Sequence, residues 1–156
     1  MKRKNCLKCI LQRLFLIVIT TLLLFSIASC RLSDAHQVDD YRINEILDDV
    51  QEGVLLYNLD KIFQHIHPDF LHNGYYARDI KAIWEMRVVN YSRLKLENRE
   101  IKVGHYYATV KMKMTLSSVN VEKVSEEPST EFGDLSYFIY EKGEWSLYGN
   151  QRYVPE

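Results

Sequence analysis

Three amphipathic helices followed by antiparallel strands, an α+β domain, is the fold class this sequence predicts. Three observations carry that prediction. Apolar residues recur at spacings of three and four from Val38 to Tyr91. After Tyr91 the spacing changes to two and stays there. Turn-forming clusters punctuate both stretches, so no segment needs a long structureless loop.

The first predicted helix carries Ile43, Ile46, Leu47, Val50, Val54 and Tyr57 on one stripe, with Asp39, Asp40, Asp48 and Asp49 off it. Asn58-Leu59-Asp60 interrupts that pattern, and Asn58 or Asp60 is suited to cap a second, short helix bearing Ile62, Phe63 and Ile66. His67-Pro68-Asp69 should end it, because the residue before a proline disfavours helical geometry. Asn73-Gly74 marks a turn. Ile80, Ile83, Trp84, Val88 and Tyr91 form the stripe of a third helix, with Asp79 near its positive N-terminal end. Leu94 and Leu96 begin a strand that resumes at Ile101 and Val103. From Tyr106 through Ala108, Val110, Met112, Met114 and Leu116 the alternation with polar neighbours is the clearest half-buried strand in the chain. Ser125 to Thr130, with Pro128, reads as a loop. The last two strands flank Glu141-Lys142-Gly143, expected as a three-residue turn with Gly143 left-handed. That register would put Tyr137 and Trp145 on one face and Phe138, Tyr140 and Tyr148 on the other.

Ahead of this domain the sequence has a different character. Residues 2–13 are basic, and Leu14 to Ala28 is an apolar run of 15 residues broken by Thr20, Thr21 and Ser26. Such a run is short of the roughly 20 residues needed to span a bilayer as a helix. A basic region, a short apolar core and small residues at its end are the parts of an export signal. Ile27-Ala28-Ser29-Cys30 resembles the lipobox of bacterial lipoproteins. The resemblance implies cleavage before Cys30, diacylglycerol on its thiol and acylation of the new amine, which together would anchor stably in a membrane. The expected organisation is therefore a signal over 1–29, a lipidated tether over 30–37 and one domain over 38–156. Arg31 stands where an aspartate would favour inner-membrane retention, which points to the outer membrane.

Five basic residues and no acid precede the cleavage point, so the remainder holds 15 basic against 21 acidic residues, a formal charge of −6. An acidic domain is poorly suited to nucleic acid, whose phosphates require clustered cations. Cys6, Cys9 and Cys30 are the three cysteines. The first two lie in the signal, so the spacing Cys6-Leu7-Lys8-Cys9 is read as incidental and no disulfide framework is expected.

Asn58-Leu59-Asp60, His67-Pro68-Asp69-Phe70, Gly74 and the final Trp145-Ser146-Leu147-Tyr148-Gly149-Asn150-Gln151 resemble the nuclear transport factor 2-like superfamily over about residues 38–153. The resemblance implies a cone, with the three helices packed in the concave face of a strongly curved, mainly antiparallel sheet. Members include isomerases, dehydratases, and transport and secretion components. Against the isomerase-type members, the helix-1 tyrosine would fall on Val50 and the base on Gly74. Neither residue can do acid–base chemistry.

The chemical candidates are few. His65, His67 and His72 lack metal-ligand spacing, and surface or capping roles are expected for them. Asp60 and Asp69 read as helix-end and turn residues. Asp134 begins a strand and is the one acid placed to face the cone mouth. No cofactor or metal motif is present. The expected interior is aromatic and sulfur-rich, with Trp84, Tyr106, Met112, Met114, Tyr137 and Trp145 as a low-polarity pocket for a small apolar ligand. Phe138, Tyr140 and Tyr148 on the opposite face would be a homodimer contact. The function expected is a lipid-anchored envelope protein with a non-catalytic binding or protein-interaction domain. The alternatives are an isomerase- or dehydratase-like enzyme and a structural subunit of an envelope assembly.

Overall fold

The computed structural model describes residues 38–129 and 132–153. The export signal, the tether and Cys30 lie outside the described residues. The chain divides into two units, Met1–Val38 and Asp39–Glu156, and the elements below concern the second.

Helix α1 occupies residues 38–55. Its stripe is buried as expected: Ile43, Leu47 and Val50 are each 0 % exposed. Tyr57, expected at the end of that stripe, instead leaves the helix in the left-handed region (φ 55°) and is exposed. Asn58 caps α2 (Leu59–Phe63) by accepting the Lys61 backbone N–H at 3.3 Å. The helix ends at Phe63, ahead of His67-Pro68. Two short strands, β1 (Leu71–His72) and β2 (Tyr75–Tyr76), pair across Asn73-Gly74, whose φ values of 49° and 84° both lie in the left-handed region that such tight turns require. Helix α3 (Ala77–Asn90) starts where the Asp79 carboxylate accepts the Tyr76 N–H at 3.0 Å, and it buries Ile80, Trp84 and Val88.

The main sheet has five antiparallel strands: β3 (Arg93–Val103), β4 (Tyr107–Ser117), β5 (Glu122–Glu127), β6 (Tyr137–Glu141) and β7 (Glu144–Leu147). Strand β4 is its axis. It pairs with β3 along one side, and on the other with β6 near its start and β5 near its end. Strand β5 was not expected, since half of it lies in the stretch read as a loop. A register shift between Glu97 and Glu100 bulges β3 at Asn98 (φ 54°). Beside the bulge, Gln51 Oε1 accepts the Leu96 N–H at 2.7 Å, and Arg99 Nε donates to the Leu96 carbonyl at 3.2 Å. Arg99 also donates to Asp48 at 2.7 Å, tying β3 to α1. Along the far side of the sheet, residues 65–71 bond to β7 and its continuation, including His67 N to Leu147 O at 2.9 Å.

The final hairpin differs from expectation. Glu141 pairs with Glu144 and Tyr140 with Trp145, so the turn has two residues, Lys142 and Gly143 (φ 54° and 90°). Gly143 is left-handed as expected, but the shorter loop shifts the register. Paired residues share a face. Phe138, Tyr140, Trp145 and Leu147 therefore lie together, and Tyr137 falls on the side opposite Trp145. Among the described residues no helix is long and apolar enough to cross a membrane.

Candidate functional site

Of the six residues expected to line a pocket, four are core. Trp84, Met112, Met114 and Trp145 are 1 %, 2 %, 2 % and 7 % exposed and belong to one apolar cluster with Phe70, Phe138 and the α1 stripe. Tyr106 is not inward: it sits in the turn ahead of β4 and is 56 % exposed. Alternation alone places it with Ala108, but β4 begins only at Tyr107, so Tyr106 lies outside the strand. Tyr137 is half-buried on the opposite side, with its ring 5.9 Å from His72. The expected dimer face does not form one surface either. Phe138 is 1 % exposed in the core, Tyr140 packs on Trp145 at 5.2 Å between ring centroids, and Tyr148 lies opposite them against His67 at 5.3 Å.

The concave side of the sheet near β5 instead holds a buried polar cluster. Asp134, 3 % exposed, accepts the Trp84 indole N–H and an Arg87 N–H, each at 2.8 Å through Oδ2. The Arg87 guanidinium lies between two rings, 4.7 Å from the Trp84 centroid and 4.8 Å from that of Phe132. Glu127, 5 % exposed, accepts the Ser125 and Ser129 hydroxyls and the Ser129 backbone N–H. His72 is also 5 % exposed, against the surface role expected for it. Its Nδ1 accepts the Asn150 N–H, so Nε2 carries the proton and donates to the Phe132 carbonyl at 2.9 Å. Burial pushes the His72 pKa below its ordinary value, although Asp134, the Phe132 carbonyl and Glu127 pull it upward. The ring is neutral at neutral pH and both its nitrogens are engaged. Ser136 Oγ is the one buried side-chain polar atom without a partner among the described residues. Chemically this cluster is a clamp: its carboxylates face fixed donors and are closed off from solvent, a poor arrangement for exchanging a proton with a ligand.

Sequence reading missed Arg87 altogether. The available signal was its position three residues after Trp84, which places a cation beside the apolar stripe of α3. His65 and His67 are held within the fold. His67 accepts the Asp69 N–H at Nδ1 and donates from Nε2 to Glu141 at 3.0 Å, and His65 lies 2.8 Å from Asp49. Among the described residues no three metal-ligating side chains converge.

A second concavity lies outside the core. A groove of about 710 Å³ runs where the last turns of α1 face the ends of β3, β4 and β5. Leu55 and Leu94 supply apolar surface; Asp48, Glu52, Glu122, Arg93 and Lys95 supply charge; Thr115 and Ser117 supply hydroxyls. Several of these charges are already paired within the fold: Asp48 with Arg99, Glu52 with Lys61, Lys95 with Glu97.

No protein-family model matches the chain, and no curated protein matches its sequence. Solved structures do match its shape. A nuclear transport factor 2-like protein of unknown function from Pseudomonas putida superposes with a TM-score of 0.59 at 9 % identity, over 72 % of this chain and 84 % of that one. The chain has the nuclear transport factor 2-like fold. Bdellovibrio bacteriovorus Bd1075 superposes with a TM-score of 0.58 at 10 % identity, over 74 % of this chain. The chain spans only 40 % of that protein's length. A Novosphingobium aromaticivorans protein, named as a candidate scytalone dehydratase, superposes with a TM-score of 0.55 at 10 % identity, over 75 % of this chain and 84 % of that one. At these identities the likeness is one of fold. Val50 is 0 % exposed core, and Gly74 is a turn residue with φ 84°.

Proposed function

We propose that this chain is a lipid-anchored cell-envelope protein whose domain over 38–156 is a non-catalytic interaction module. The observation that carries the non-catalytic reading is the state of the concave wall. Asp134, the acid best placed for catalysis, is held by Trp84 and Arg87, and four of the six side chains expected to line a pocket, Trp84, Met112, Met114 and Trp145, are packed as core. An acid or base that must exchange a proton with a ligand needs access and a pKa near the working pH. Asp134, 3 % exposed and bonded to the Trp84 indole and the Arg87 guanidinium, lacks that access. Binding then falls to the outside of the fold, where Tyr106 and Tyr140 are 56 % and 38 % exposed. The Tyr140 N–H donates to the Tyr106 carbonyl at 2.8 Å, so these residues are neighbours. Tyrosine is enriched at protein interfaces, because its ring offers contact area at low entropic cost while its hydroxyl stays hydrogen-bonded. A protein partner suits that surface better than a small molecule.

The anchor rests on the run from Leu14 to Ala28 and on Ile27-Ala28-Ser29-Cys30. Cys30→Ala should abolish metabolic labelling by palmitate and release the protein from membranes; unchanged labelling would remove the anchor from the reading. The closed interior has its own test. The Trp84 indole proton should exchange with solvent deuterium only through global unfolding, as read by NMR on tryptophan-labelled protein. Exchange a hundredfold faster than global unfolding allows would mean an interior that opens to ligands, and the non-catalytic reading would fall.

A further inference from the structure

The groove beside α1 has charges left over after its internal pairings. Among the described residues, Arg93 and Glu122 form no ion pair. Arg93 pairs in register with Ser117 on β4, and Ser117 pairs with Glu122 on β5. The three side chains therefore share one face in a single row across three strands. Arg93 and Glu122 stand at its ends, two strand spacings or about 10 Å apart at the backbone. Ser117 lies between them, and Thr115 occupies the next position on the same face of β4. Leu55, which is 56 % exposed at the end of α1, supplies an apolar side chain to the same groove. Its volume of about 710 Å³ falls within the range of small-ligand pockets.

We infer that this groove binds a short zwitterionic peptide, its carboxylate on Arg93 and its ammonium toward Glu122. Four features fit that ligand. A guanidinium grips a carboxylate through two parallel N–H donors, and an unpaired carboxylate is the natural acceptor for an ammonium. An extended peptide of about three residues spans about 10 Å between its terminal charges. The Ser117 and Thr115 hydroxyls lie under the middle of such a ligand, where a backbone offers both donors and acceptors. The exposed Leu55 can take an apolar side chain. Simple anions satisfy only Arg93, and simple amines only Glu122. The inference extends the binding reading to a different place on the molecule, and it requires neither the anchor nor the closed interior.

The test is calorimetric titration of the purified full chain in mild detergent with trialanine. Saturable one-to-one binding is expected, with affinity falling as salt rises. Arg93→Gln and Glu122→Gln should each weaken it at least tenfold, and both are exposed substitutions, so circular dichroism should report an unchanged fold. N-acetyl-trialanine, which keeps only the carboxylate, and trialanine amide, which keeps only the ammonium, should each bind at least tenfold more weakly than the free peptide. Absence of saturable binding would overturn the proposal. So would undiminished affinity in either variant. Equal binding of the acetylated peptide would reduce the site to a simple anion site and overturn the zwitterion reading. None of these outcomes bears on Cys30 labelling or on Trp84 exchange, so the two readings fail separately.

Discussion

The concave-wall cluster and the α1 groove use similar residues to opposite ends. Both contain carboxylates, arginine and serine hydroxyls. In the first, Asp134, Arg87, Glu127 and His72 are turned toward one another and removed from water. In the second, Arg93 and Glu122 are exposed and separated by a strand. A buried charge must find its partner inside the fold, because leaving it unpaired costs several kcal/mol. An exposed charge carries no such obligation and remains available to something else. What separates a structural polar cluster from a binding site here is therefore whether the charges are already answered, more than which residues are present.

The sharpest way to break that contrast is to remove the acid at the centre of the clamp. Asp134→Ala leaves the Arg87 guanidinium and the Trp84 indole N–H buried without an acceptor. A loss of about 3–5 kcal/mol is expected in urea denaturation. A loss below about 1 kcal/mol would mean that the clamp is wet and adaptable, as an active site would be.

A smaller effect follows from pH. The folded-state pKa of His72 lies below its ordinary value of 6.5, with burial as the main cause. Below that ordinary value the unfolded chain takes up a proton that the folded chain resists. Stability should therefore be full above about pH 6.5 and fall as pH drops toward the depressed folded value. His72→Gln should flatten the stability profile in that window, measured by thermal melts from pH 7.5 downward. The charges facing His72 are Asp134, Glu127 and Arg87, and an equal slope in wild type and variant would assign the pH dependence to the carboxylates.

The smallest stability effect belongs to the groove. Arg93→Gln should change unfolding free energy by no more than about 0.5 kcal/mol, as expected for an exposed side chain without a partner. A loss above about 1 kcal/mol would show that Arg93 is answered within the fold after all.

Much of the architecture was legible because local periodicity encodes it. The α1 and α3 stripes and the alternation of β4 each specify which face is buried, and the burial of Ile43, Trp84 and Met112 follows them. The final hairpin was harder. Two- and three-residue loops both place Gly143 in the left-handed region, and only Lys142, a lysine at φ 54°, separates them. That one-residue difference moved Tyr137 and Phe138 to opposite sides from those expected. Strand β5 was hidden because Glu-Lys-Val-Ser-Glu-Glu shows no apolar alternation: its inward positions are Lys123, Ser125 and Glu127, set by backbone pairing to β4. The clamp was invisible for a different reason. Arg87 and Asp134 are 47 residues apart, and no local pattern announces a contact at that distance.

One detail of β3 bears on how copies of this domain meet. A strand on the rim of a sheet offers outward N–H and C=O groups as a template for another chain. At Leu96 both groups are occupied, the N–H by Gln51 and the carbonyl by Arg99, and the bulge at Asn98 breaks the spacing of the next rung. An incoming strand would find neither a free donor nor a continuous ladder at the middle of this rim. On the opposite rim, β7 is already overlaid by residues 65–71. These two rims are thus guarded against strand addition, so growth of the sheet by cross-β pairing is left to the outer edge of β5, which pairs only with β4.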